Sequence, residues 1–249
     1  HVDDRHDAFW LAHMLSLGIL PTGYIYPKEE RPVRDLLRKR SYLVRQRTSN
    51  ILSLQSFFER QLGKRISSNE IKRLTTGDVA HLLKEDYLVM SAMANLEAIN
   101  FLKDKIKPIE KAVKDSIKLR KPFECLLSVP GIGNILALTI MLEVGDINRF
   151  PKAGNFSSYC RCVSSTRTSN GKSKGKGNSK NGNRYLAWAF IEAAHFARRH
   201  NTYFNKFYQK KAAKRNKIVA TKALSNKLAR ACYHVMKNQV PFKEELLIS

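Results

Sequence analysis

VRDLLRKRSYLVRQRTSNILSLQSFFERQL, residues 33–62, carries Leu37, Val44, Ile51 and Phe58 at seven-residue intervals, with Leu36, Leu43 and Phe57 beside them. Apolar residues in this rhythm fall on one stripe of a helix, and a stripe repeating every seven residues is a coiled-coil-like seam. Arg34, Arg38, Arg45 and Arg47 surround the seam, and Gly63 ends it. The spacing predicts one long helix over Val33–Leu62 whose apolar face needs a partner. A polar turn near Ser67 to Gly77 follows. A second helical region is predicted over Val79–Leu119, with Ile99, Leu102, Ile106, Ile109, Val113 and Ile117 as its stripe. Pro108 is expected to kink it. Two long helices joined by a short connection make an antiparallel hairpin or a dimer arm, and the fold class is mainly α.

Toward the amino end, Gly18 to Pro32 reads as a loop with three prolines, and Asp3 to Leu17 as a helix stopped by Gly18. Asp4, Asp7, Leu11 and Met14 share one face of it. Carboxylates on such a stripe invite a partner, and a divalent cation is one. The alternative is that acids in a first turn complement the helix dipole.

Toward the carboxyl end, Cys125 to Phe150 contains Pro130-Gly131-Ile132-Gly133 between an apolar run and a segment rich in small residues. This pattern predicts a helix-hairpin-helix-like turn, whose backbone N–H groups at Gly131 and Gly133 can face a phosphate. The competing reading is a compact corner inside the core. Ser164 to Leu186 then has no acid and almost nothing apolar before Tyr185. Its glycines and its Lys, Arg, Ser and Asn side chains suit phosphate oxygens. A solvated basic linker has the same composition. Helices are predicted over Tyr185–His200, Tyr203–Arg215 and Ile218–Met236, with Lys210, Lys211, Lys214, Arg215 and Lys217 forming a basic cluster.

The 249 residues carry a formal net charge of +24. The excess is uneven: 22 of the 45 basic side chains but 3 of the 21 acids follow Asp146. Such a field, interleaved with aromatic residues, favours nucleic acid. A membrane surface fits less well, since the basic residues are not confined to one face of an amphipathic helix. No apolar run has the length of a membrane span. Cys125, Cys160, Cys162 and Cys232 lack the spacing of a zinc knuckle and read as reduced, partly buried thiols.

With these segments in hand, the chain resembles the DEDD-type insertion-sequence transposases of the IS-one-ten group, which are bridge-RNA-guided DNA recombinases. Asp3-Asp4-Arg5-His6-Asp7-Ala8 is similar to the family's acidic box. Pro130 to Gly133, Ala137 and Glu143-Val-Gly-Asp146-Ile-Asn-Arg149-Phe150 resemble its second motif. Ser169-Asn-Gly171-Lys172, Gly177-Asn178, Gly182-Asn183 and Leu186 resemble its third. The resemblance implies three regions: residues 1–27 as the last part of a RuvC-like domain, 28–121 as a helical coiled-coil arm, and 122–249 as a transposase domain. It implies Ser169 as the nucleophile, and Mg2+ held by Asp4, Asp7 and two further acids. It also implies DNA and a structured guide RNA as partners, a homo-oligomer (dimer or tetramer), and a cytoplasmic, nucleoid-associated prokaryotic protein. The strands that carry the family's first Asp and its Glu have no counterpart here, so a truncated amino end, an incomplete metal site, and binding with little or no catalysis by this chain alone are expected. The box also begins His1-Val2 where the family has Lys-Thr, and Asp3 with Asp7 forms an alternative acidic pair.

A serine hydroxyl needs activation to attack a phosphodiester. Arg167, Lys172, Lys174 and the N–H groups near Gly171 can stabilise the charge that develops. Lys176, Lys180 and Arg184 extend the same basic segment. From the residues alone Ser164, Ser165, Ser173 and Ser179 compete with Ser169, and only the resemblance singles out Ser169. Two other functions compete: a non-catalytic module that grips nucleic-acid backbone, and a metal-dependent nuclease that uses only the amino-terminal acids.

Overall fold

In a computed structural model the described residues are 3–20, 23–117, 120–163, 166–176 and 181–244. Helices dominate, as the apolar periodicity predicts. The helices are α1 (Asp4–Ser16), α2 (Arg31–Leu62), α3 (Ser68–Ile71), α4 (Thr76–Leu82), α5 (Asp86–Ile117), α6 (Lys121–Leu127), α7 (Asn134–Val144), α8 (Ala153–Tyr159), α9 (Arg184–His200), α10 (Thr202–Lys214) and α11 (Lys217–Asn238). A two-stranded antiparallel hairpin, β1 (Thr166–Ser169) and β2 (Lys172–Lys176), stands between α8 and α9.

The arm is α2 laid antiparallel along α5. Leu54 and Phe58 meet Ala92, Leu96 and Ile99 near its tip, while Arg40 pairs with Glu110 at 2.6 Å nearer its base. The region expected as one helix from Val79 is two: the chain leaves helical geometry at Leu83 (φ −120°, ψ 132°) and re-enters at Asp86. Two capping boxes, Ser67 with Glu70 and Thr75 with Asp78, start the short helices α3 and α4 that close the tip. These side chains satisfy orphan N–H groups, so a short helix can begin without a long apolar stripe. Pro108 lies inside α5, which continues through it to Ile117; Leu119 lies outside the described residues.

Most of the buried apolar residues among those described fall into two clusters. One, at the arm tip, is built on Ile51, Leu54, Phe58, Ile71, Val79, Leu96 and Ile99. The other joins the arm base, through Leu37, Val113 and Ile117, to α6–α11. Within the second cluster α7 is buried along most of its length, and α11 contributes Ala220, Leu224, Leu228 and Cys232 at full burial.

Helix α1 buries none of its residues, and Phe9, Leu11 and Leu15 are all more than half exposed. No described helix is long and apolar enough to cross a membrane.

Candidate functional site

The basic segment takes a definite shape at its centre. Asn170 (φ 49°) and Gly171 (φ 70°) both have positive φ and connect the paired residues Ser169 and Lys172. That is the two-residue type I′ hairpin turn, whose twist matches the strands it joins and which favours Asn-Gly. Thr166 pairs with Lys176, but Thr168 with Ser173, so β2 holds one extra residue. Gly175, at φ 101°, lies in this bulge and tolerates the conformation because it has no Cβ.

Directly opposed residues of an antiparallel pair share a face, and side chains alternate along each strand. Ser169, Lys172 and Lys174 therefore share one face, and all three are exposed. Arg167 and Lys176 belong to β1 and β2 by their backbone. Ser164, Ser165, Gly177, Asn178, Ser179 and Lys180 lie outside the described residues.

The foot of the excursion is pinned. The Arg161 guanidinium donates through Nε and Nη2 to the Gly182 carbonyl, at 3.1 and 2.8 Å. Lys222 Nζ donates to the Arg161 carbonyl, and Asn183 N donates to the Tyr159 carbonyl at 2.7 Å. Gly182 has φ 88°, and a Cβ there would stand 2.4 Å from the Tyr159 carbonyl oxygen, so only glycine fits. Asn183 then caps α9, its Oδ1 accepting from Tyr185 N at 2.8 Å and Leu186 N at 3.1 Å. The Gly-Asn-x-x-Leu signature thus has a structural cause, with Leu186 fully buried as the first anchor of α9. Arg184 is exposed in the first turn of α9, its guanidinium 5.0 Å from the Tyr185 ring.

Behind this foot sits a buried carboxylate. Glu143 of α7 is held by Arg38 of the arm through two bonds, Nε to Oε1 at 2.6 Å and Nη2 to Oε2 at 2.7 Å. Asn183 Nδ2 also donates to Oε2, at 2.7 Å. Burial of a charge demands such pairing. The Glu143 carboxylate in turn raises the Arg38 pKa further. Arg38 lies over the Tyr185 ring at 4.7 Å. Three segments far apart in sequence, namely the arm base, α7 and the exit of the basic segment, are tied at one point.

The rest of the second motif is structural too. Gly145 (φ 64°) would place a Cβ 2.5 Å from the Tyr24 hydroxyl. Asp146 caps the next turn through Asn148 N at 2.9 Å. Arg149 is stacked among Tyr24, Phe150 and Tyr159 at 4.1–4.5 Å.

The Pro-Gly-Ile-Gly turn divides its two glycines. A Cβ on Gly131 (φ 87°) would lie 2.4 Å from the Ala193 carbonyl oxygen and 2.6 Å from Ala197 N. Gly131 is therefore where α9 approaches the turn backbone to backbone. Gly133 is exposed and starts α7 with no side-chain cap, so the first N–H groups of this helix have no capping side chain to accept from them.

Asp4 and Asp7 are exposed in the first turn of α1, and Asp3 caps the helix through His6 N at 2.9 Å. His6 Nε2 accepts from Trp10 Nε1 at 2.7 Å. Among the described residues no group of three His, Cys, Asp or Glu is placed to hold a metal ion. Two carboxylates are too few for a protein-built magnesium cage, so the described residues do not by themselves fit the ion.

The four thiols are free and buried. Burial pushes Cys160 and Cys232 well up, and Cys162 to about 11. The structure places them in packing.

Residues 123–209 match the Transposase IS116/IS110/IS902 family model. This span runs from α6 through the turn, the hairpin and α9 into α10. The chain is 25% identical over 208 residues to a transposase for insertion sequence element IS1111A from Coxiella burnetii, covering 80% of this chain and 55% of that protein. It is also 25% identical over 222 residues to a transposase for insertion sequence element IS1328 from Yersinia enterocolitica, covering 87% of this chain and 66% of that protein. The chain thus spans between half and two thirds of the length of these relatives.

Proposed function

We propose that this chain is the arm and DNA-handling portion of an insertion-sequence transposase, which cuts and rejoins DNA through a covalent phosphoserine link at Ser169. The observation that carries the reading is the hairpin. It puts a serine hydroxyl at an exposed strand end, on one face with Lys172 and Lys174, inside a region that matches a transposase family model. A two-stranded ribbon is narrow enough to enter the major groove. One with so few apolar residues gains little from burial, so its Lys residues stay available to phosphate.

In the step assigned to it, the Ser169 Oγ attacks a DNA phosphorus. A phosphorus–oxygen bond forms, the bond to the leaving deoxyribose oxygen breaks, and the hydroxyl proton leaves with a base. Lys172 and Lys174 stabilise the charge that grows on the phosphoryl oxygens. The free N–H groups at the start of α7 grip a neighbouring phosphate, so Gly133 is the contact point there and Gly131 holds the turn against α9. Asp4 and Asp7 supply two ligands of a magnesium site that needs further acids, and no step above is routed through it. A structured guide RNA, a homo-oligomer and a prokaryotic cytoplasmic setting complete the proposal.

The test is adduct trapping on a nicked DNA substrate that retains a suicide leaving group. The full-length protein that carries this chain should yield a denaturation-resistant protein–DNA species that its Ser169→Ala variant does not form. Equal adduct with Ser169→Ala overturns the assignment. Cleavage without adduct in both proteins supports the nuclease reading instead.

A further inference from the structure

Helices α9, α10 and α11 enclose an open groove of about 1190 Å3 that begins at Cys162–Val163, where the chain leaves the core for the hairpin. Arg198, Lys211, Lys217, Lys222, Lys227 and Arg230 line it, and no acid does among the described residues. Its floor is apolar: Phe207 lies in it, Ile218 is 82% exposed and Val163 48% exposed.

The cations are arranged over rings. Arg198 sits 4.7 Å from the Tyr208 ring centre, and Lys227 stands 5.1 Å from that of Phe207. Arg198 Nε is buried and has no hydrogen-bond partner among the described residues. Six cations lining one groove, with no acid among the described residues that line it, call for an anionic ligand.

The occupant must bring both negative charge and flat apolar surface. Duplex DNA brings the charge, but its base faces are stacked away. An acidic helix brings apolar side chains, but its charges are spaced for pairing with single Lys residues. An unpaired nucleotide strand brings phosphates at regular intervals and exposed base faces, and strand-binding grooves combine a cationic track with apolar and aromatic platforms. The volume exceeds that of an ordinary small-molecule pocket, which suits several nucleotides in succession.

We propose that this groove binds an unpaired strand of nucleic acid, its phosphates along Lys217, Lys211 and Arg230 and its bases against Phe207 and Ile218. The proposal rests on the nucleic-acid reading of this chain but not on Ser169 chemistry. Failure of adduct trapping leaves it standing, and its own failure leaves the serine assignment untouched. RNA and DNA share the chemistry required here, and the ribose hydroxyl decides between them.

The experiment is fluorescence anisotropy with the full chain. Labelled unstructured 12-nucleotide DNA and RNA strands and a 12-base-pair duplex are titrated at two salt concentrations. Lys217→Glu/Arg230→Glu should weaken strand binding more than tenfold and lower the salt slope by about 2. Ile218→Ser keeps the charge and sits on the surface; it should weaken strand binding about threefold to fivefold and leave duplex binding within twofold. Lys64→Glu/Arg65→Glu, an equal charge change at the exposed arm tip, should alter neither by more than twofold. Tighter binding of the RNA strand than of the DNA strand assigns the site to RNA, and the reverse to DNA; each outcome supports the groove. Unchanged strand binding in the double variant overturns the proposal. So does an equal loss of strand and duplex binding with Ile218→Ser, or polyglutamate displacing the strand as well as unlabelled strand does.

Discussion

Replacing Arg38 by Met should destabilise the protein at the start of α9, which is far from it in sequence but adjacent in space. The Glu143 side chain is 3% exposed and that of Arg38 32% exposed. Removing one partner of a fully buried pair costs about 3–5 kcal/mol, because the other charge stays buried. The partial exposure of Arg38 lets water take over some of that role, and Asn183 still donates to Glu143. The cost should therefore fall to about 2–3 kcal/mol. Glu143→Met alone should cost about 1–2 kcal/mol, since the Arg38 head can reach solvent while Asn183 loses an acceptor. The double variant puts apolar groups where the pair was and should cost no more than about 2 kcal/mol, leaving a coupling of about 2 kcal/mol. Urea denaturation of the four proteins measures this, with an unchanged denaturant slope showing that the unfolded state is not the cause. Amide exchange supplies a local readout: Tyr185 and Leu186, whose N–H groups Asn183 caps, should exchange about tenfold faster in Arg38→Met, equivalent to ~1.4 kcal/mol. A double variant that costs the sum of the singles, or unaltered exchange at these two amides, refutes the coupling.

Gly131→Ala should cost about 3 kcal/mol or more, because the new methyl meets α9 backbone and φ is 87°. Gly133→Ala meets nothing within 4 Å and should cost less than about 1 kcal/mol, with thermal melts separating the two. Gly171→Val should depopulate the hairpin, since a β-branched residue resists φ 70°; cross-strand nuclear Overhauser contacts between Ser169 and Lys172 report the loss. Stability should fall in alkali. The buried Cys162 thiol is raised to about 11, so its contribution is complete below the ordinary thiol value of 9.0 and is lost as pH rises toward 11. The loss amounts to about 2–3 kcal/mol, and urea midpoints at pH 8 and pH 10.5 for wild type and Cys162→Ala measure it.

The helices were legible because their apolar residues repeat: the run through Ala220, Leu224 and Leu228 is buried, and so is the seven-residue seam of α2 except at Val44, which is half-buried. The break at Leu83 was not, since the stripe continues across it and capping decides where a helix restarts. The hairpin carried its signal openly in Asn170-Gly171. It escaped because the flanks lack the apolar alternation that marks strands, and a polar ribbon has the composition of a linker. The two glycines of the Pro-Gly-Ile-Gly turn look alike in sequence. Only the approach of Ala193 and Ala197, some sixty residues away, separates a packing glycine from an open helix start. The Arg38–Glu143–Asn183 knot was invisible for the same reason: its members are 105 and 40 residues apart, and local patterns do not report such distances. The acids of α1 were visible, and the structure leaves them exposed in a first turn.

The arm carries its two apolar clusters at opposite ends. Between them Leu102 and Ile106 are buried beside a cleft of about 300 Å3 lined by Arg47, Lys72, Lys103, Lys107 and Glu110, where Arg47 Nε has no hydrogen-bond partner among the described residues. Four cations share that cleft with one carboxylate, and Glu110 is already paired with Arg40, so mutual repulsion is strongest at this level of the arm and weakens as salt screens it. Because the packing that fixes each end lies outside this cleft, lengthening or shortening both helices by whole turns here should change the reach of the arm while leaving each end folded.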